Sequence, residues 1–176
     1  MKLTEERNIA ADPATVWAAV LNADVLRQCV PGCESLTGSP EEGFEAVVTQ
    51  KVGPVKARFT GKVTLSDIVE GKSLRISGQG QGGVAGFAKG SALVTMEPAE
   101  GGTKLTYDVD AAVGGKLAQL GSRIIDGFAK SLAEQFFDRF QNAIETPAED
   151  SASDAPEGET TEGEQPKKGW FRRLIG

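Results

Sequence analysis

The 176-residue chain contains no histidine. That removes the commonest metal ligand and the side chain most used as a general base near neutral pH, and it lowers the standing of any enzymatic reading. Cysteine is nearly as scarce. Cys29 and Cys33 stand four apart in CVPGC, and a zinc site would need two more ligands of the right type; none is apparent, so no metal site is expected and the two thiols read as small buried or half-buried side chains. No apolar run approaches the roughly 20 residues of a membrane-spanning helix, and MKLTEERNIA lacks the apolar core of a secretory signal. The sequence therefore predicts a cytoplasmic protein. Basic residues are in deficit, 19 Lys and Arg against 25 Asp and Glu, which leaves little for a sequence-independent grip on phosphates, so no nucleic acid partner is expected.

Glycine, by contrast, is abundant. In SGQGQGGVAGFAKG, residues 77–90, Gly78, Gly80 and Gly83 match the spacing of a dinucleotide-binding loop. That mechanism needs a strand before the glycines and a helix opening on them. The strand is there as SLRIS, but FAKGSALVTME reads as a second strand rather than a helix. The glycines must serve another purpose.

Element signals run in a simple order. KLTEERNIA alternates as a strand, and ADPATVWAAVLN begins a helix with Asp12 as cap and Pro13 at the first position. ADVLRQCV is a second short helix ending at Pro31-Gly32. From there to Ala112 the period is two, with turns at SPEEG, VGPV, EGKS and AEGG, which predicts about six strands joined as antiparallel hairpins. A single long helical run is expected from Gly115 to Ile144, with Leu117, Leu120, Ile124, Phe128 and Leu132 on one stripe. The fold class is α+β: a curved antiparallel sheet wrapped around a long C-terminal helix.

The strands are one-sided. Phe44, Ala46, Val48, Gln50 and Val52 alternate with polar residues, as do Val55, Ala57, Phe59, Gly61, Val63 and Leu65, and Leu105, Tyr107, Val109 and Ala111. The inward residues turn small at mid-strand: Ala46, Ala57, Gly61, Ala88, Gly90 and Ala92. Protein interiors are packed to crystal density, so such a wall either admits the helix closely or leaves volume for a ligand. The second reading predicts a chamber lined by Phe59, Ile76, Phe87, Ala88, Ala92, Tyr107, Leu120, Gly121, Ile124 and Phe128, with the glycine run as a bulged pocket wall or mouth.

The stretches CVPGCE, KVGPVKA, GQGGVAGFAKG and GGKLAQLGSR, within residues 1–144, closely resemble the G-subunit family of carbon monoxide dehydrogenase, in the START-like (SRPBCC) helix-grip superfamily. The resemblance implies a lipophilic cavity and a role beside a molybdenum hydroxylase of the carbon monoxide dehydrogenase type. It implies recruitment of that enzyme to the inner face of the cytoplasmic membrane and binding of a respiratory quinone that links it to electron transport. It carries no catalytic residues and no covalent cofactor; a bound quinone is the one ligand it suggests. An accessory factor for recruitment or maturation, with no functional ligand, is the alternative. An enzyme is the weakest reading, because Asp108 and Asp110 fall on outward strand positions and Asp126 is expected away from the helix's inner stripe.

Three segments follow from composition. Residues 1–145 form the ligand-binding domain. Residues 146–166 hold seven acids, no base and no bulky apolar residue, the composition of a disordered linker. Residues 167–176 reverse the sign: Lys167, Lys168, Arg172 and Arg173 accompany Trp170, Phe171, Leu174 and Ile175, which on a helical wheel separate into basic and apolar sides. This is the pattern of a short interfacial membrane anchor; a docking peptide for a protein partner and an unstructured end with incidental aromatics are the alternatives.

Overall fold

The computed structural model describes residues 1–145. The linker and anchor assignments, including Lys167, Lys168, Trp170, Phe171, Arg172, Arg173, Leu174 and Ile175, lie outside the described residues.

Seven strands, β1 (Lys2–Ile9), β2 (Cys33–Ser39), β3 (Gly43–Val52), β4 (Val55–Val69), β5 (Ser73–Gln81), β6 (Phe87–Ala99) and β7 (Gly102–Gly114), form one antiparallel sheet in the order β1-β7-β6-β5-β4-β3-β2. Six of them run as consecutive hairpins, which is why period-two patterning and turn residues place them correctly. Only β1 pairs non-locally, from Lys2 opposite Asp110 to Ile9 opposite Thr103.

Between β1 and β2 stand α1 (Pro13–Val20) and α2 (Ala23–Cys29). Pro13 starts α1, where its missing N–H costs nothing. Asn22 caps α2 by accepting from the amides of Asp24 and Val25 at 2.8 and 3.2 Å.

The final helix, α3 (Ser122–Glu145), lies across the concave side of the sheet. The single run expected from Gly115 is in fact two pieces. Residues Gly115–Leu120 form a 3-10 segment, and Gly121 breaks the chain at φ +90° before α3 starts. This left-handed conformation is open to glycine and strained for other residues. Gly121 therefore ends one element rather than sitting inside a helical stripe, and the periodicity has to be counted afresh from Ser122.

The fold is tied together at one end. Phe140, Ile9, Leu74, Leu105 and Val16 are almost wholly buried there. Gln141 donates to the carbonyl of Asn8 at 3.2 Å, and the Ala10 amide donates to Glu145 at 2.7 Å. Arg7 stacks 5.5 Å above the Phe137 ring and donates to Asp138 and Gln141. Strand β1 thus clasps the C-terminal half of α3.

Candidate functional site: an apolar chamber between sheet and helix

Toward the opposite end, sheet and helix part and enclose a cavity of about 760 Å³. Volumes of this order suit small-molecule ligands. The sheet wall is built from small or flat inward residues: Ala88, Ala92 and Val94 of β6, Tyr107, Val109 and Ala111 of β7, Phe59 and Ile76. The helix wall follows a clean i, i+3, i+4 stripe from its new origin: Ile125, Phe128, Ala129, Leu132, Ala133, Phe136 and Phe137. Small residues face one another across the gap, so neither layer fills it.

Of the ten residues expected here from sequence, Phe59, Ile76, Ala88, Ala92, Tyr107, Gly121 and Phe128 line the cavity. Phe87, Leu120 and Ile124 do not. Phe87 precedes inward-facing Ala88 on the same strand and must point the other way; its ring lies over Gly114, occupying the place of a Cβ there. Leu120 and Ile124 lie over the turn at Gly53, their nearest methyls 3.9 and 3.4 Å from where a Cβ on that residue would sit. The break at Gly121 rotates Ile124 off the inner stripe and puts Ile125 on it. The same shift brings Asp126 to the cavity, contrary to its expected outward position. The paired signal Gly121-Ser122, a helix stop followed by a good helix start, is what could have revealed this.

The glycine run is now explained. Register between β5 and β6 is continuous from Ser73 opposite Thr95 to Gln81 opposite Phe87, so the run is not bulged. It makes two strand ends and a tight loop closed by the Gly82 amide donating to the Gly86 carbonyl at 2.8 Å. A Cβ on Gly82 would collide with the Phe59 ring, and Gly86 packs its backbone against Gly115 at the start of the 3-10 segment. Glycine here lets a loop press against the chamber's aromatic wall.

Only four lining residues have polar side chains: Gln50, Tyr107, Ser122 and Asp126. Tyr107 is buried, stacked on Phe137 at 4.9 Å, and its hydroxyl donates to Glu5 at 3.2 Å. Burial first, then the nearby Glu5 carboxylate, pushes the phenol up to about 12, so it stays protonated. Gln50 donates to the Pro31 carbonyl and keeps a second N–H. Asp108 and Asp110 sit on the outer face, held by Thr4 and Lys2, each at 2.9 Å. Cys29 and Cys33 are free thiols; burial raises both above the ordinary thiol range, the direction that suppresses nucleophilicity.

An antiparallel sheet gripping one long helix over an apolar chamber defines a START-like helix-grip protein, and solved structures agree. A conserved protein from Geobacillus kaustophilus is 28% identical with a TM-score of 0.76, covering 82% of this chain and 95% of its own. A START superfamily protein from Mycobacterium smegmatis is 16% identical with a TM-score of 0.64, covering 83% and 98%. A protein from Rhizobium leguminosarum is 19% identical with a TM-score of 0.66, covering 82% and 94%. No curated protein matches the chain. The family model for the G-subunit of carbon monoxide dehydrogenase (CoxG) matches residues 6–145, and the chain belongs to that family.

Proposed function

We propose that this protein is a non-catalytic accessory subunit of a molybdenum hydroxylase of the carbon monoxide dehydrogenase type, carrying a lipophilic molecule in its chamber. The chemistry fits a respiratory quinone, and the C-terminal segment would tether the protein to the inner face of the cytoplasmic membrane. Family membership supports the partner. The observation that carries the ligand is the chamber itself, which is walled by apolar side chains and bounded by small residues on both facing layers. A void of this size forfeits dispersion contacts that larger side chains would recover, so its persistence favours an occupant. The second N–H of Gln50 and the Ser122 hydroxyl can donate to quinone carbonyls, while the inner walls suit an isoprenoid chain. Among the lining residues, Asp126 and Tyr107 are the titratable side chains, and Tyr107 holds its proton; nothing in that pair suggests acid-base catalysis.

The test is native mass spectrometry of protein purified from its own host, followed by solvent extraction, alongside titration with decylubiquinone. Ala92→Phe and Ala129→Leu each place bulk in the chamber at backbone positions that accept it. Binding is expected to fall at least about tenfold, with stability changed by less than about 1.5 kcal/mol. Absence of any extractable ligand, with no titratable binding, would favour a recruitment or maturation factor with an empty chamber.

A further inference from the structure

Charge is segregated along the strand axis. The turns at the clasped end, residues 39–43, 66–72 and 97–101, contain six acids and one base, Lys72. The segments around the open end, residues 30–34, 51–56, 82–89 and 112–124, contain five bases, Lys51, Lys56, Lys89, Lys116 and Arg123, and one acid, Glu34, which is paired with Arg58 at 3.0 Å. All five are exposed, and none of their side chains has an ion-pair or hydrogen-bond partner among the described residues.

Apolar side chains protrude among these cations. Val84, at the tip of the β5–β6 loop, is 87% exposed, the most of the large apolar side chains among the described residues; Phe87 and Ile124 are 39% and 40% exposed beside it, and Ile68 and Val69 are 50% and 51% exposed in the turn at the clasped end. Burying such groups would be favourable, yet this face leaves them in water. The most exposed lining residues of the chamber on the helix side, Ala118, Gly121, Ser122 and Asp126, are all at this end. The chamber therefore opens through the basic face that carries Val84, and among its lining residues Asp126 is the one acid.

We propose that this face docks on an anionic lipid bilayer, with the chamber mouth against the lipid and the acidic clasped end held away. Lysine and arginine near an anionic surface each favour binding, and apolar loop tips enter the headgroup boundary. An acidic protein surface would satisfy the cations. It would not account for a lone valine at a loop tip beside an open apolar chamber, whereas a bilayer accounts for both and is where a lipophilic ligand resides. The proposal deepens the ligand-carrier reading and rests on it for the purpose of docking, but its geometry is tested separately.

The experiment is hydrogen-exchange mass spectrometry on the full chain with vesicles of phosphatidylethanolamine and phosphatidylglycerol, against phosphatidylcholine alone. Protection is expected in residues 82–87 and 115–124 and not in 97–102, on anionic vesicles only. In Val84→Asp and in Lys116→Glu/Arg123→Glu that footprint should disappear, and uptake of decylubiquinone from the vesicles should slow about tenfold or more. Binding of decylubiquinone added without vesicles should be unchanged in these variants. Vesicle binding without protection at 82–87 and 115–124 would overturn the proposal. So would a footprint produced by the purified molybdenum enzyme and not by vesicles. Failure to bind decylubiquinone in any format would overturn the carrier reading and leave the footprint to decide the docking face.

Discussion

Tyr107 links three surroundings at once: it lines the chamber, stacks on Phe137 and donates to Glu5. Its phenol is raised from 10.0 to about 12 in the fold. Below pH 10 it is protonated whether the chain is folded or not, and its contribution is fully present. As pH climbs through 10 towards 12 the unfolded chain ionises first, and the contribution is lost. The loss should reach on the order of 2 to 3 kcal/mol. Tyr107→Phe is expected to flatten the alkaline part of the stability profile, measured by denaturant unfolding at stepped pH; parallel profiles would remove Tyr107 from this role. Its inward position is legible from strand alternation. Its bond to Glu5 is not, because that needs the pairing of β1 with β7 across about a hundred residues. Phe87 is the opposite case: alternation already forbids Phe87 and Ala88 from facing the same way, and an aromatic ring beside a run of glycines is no guide to the side it takes.

At the scale of elements, the strands are readable because each hairpin carries its own turn signal and its own alternation. The helix is not readable as a unit, because a stripe counted through Gly121 averages two phases. That glycine lies at φ +90° with no atom within 4 Å of where a Cβ would be. Gly121→Ala should therefore destabilise by about 1 to 2 kcal/mol through backbone strain alone, seen as a lower denaturant midpoint with an unchanged slope. A neutral substitution would mean that the break is set by neighbouring contacts and not by glycine. The clasp differs in kind: Phe140 is fully buried, and Phe140→Ala is expected to cost about 3 to 5 kcal/mol in the same measurement.

For the whole molecule, the segregation of charge is encoded in the turns, since successive hairpins alternate between the two ends of a sheet. Counting acids and bases along the chain conceals it; counting by turn parity recovers it. The tail adds a second influence. Truncation after Pro166 should lower flotation on anionic vesicles at least about tenfold, more strongly at low salt, because it removes four cations and four bulky apolar side chains together. Equal flotation would mean that residues 167–176 are not an anchor. Finally, the clasp made by β1 has a consequence in time. It leaves the ribosome before the other strands of this sheet, but its partner residues on β7 are Thr103 to Asp110. At roughly 5 to 20 residues per second, β1 waits on the order of 5 to 20 s for its hydrogen-bonding partner, while β2 to β6 can pair in sequence. During synthesis β1 is thus a strand without a ladder, and the growing sheet keeps an open edge at β6 until β7 arrives and the clasp can close.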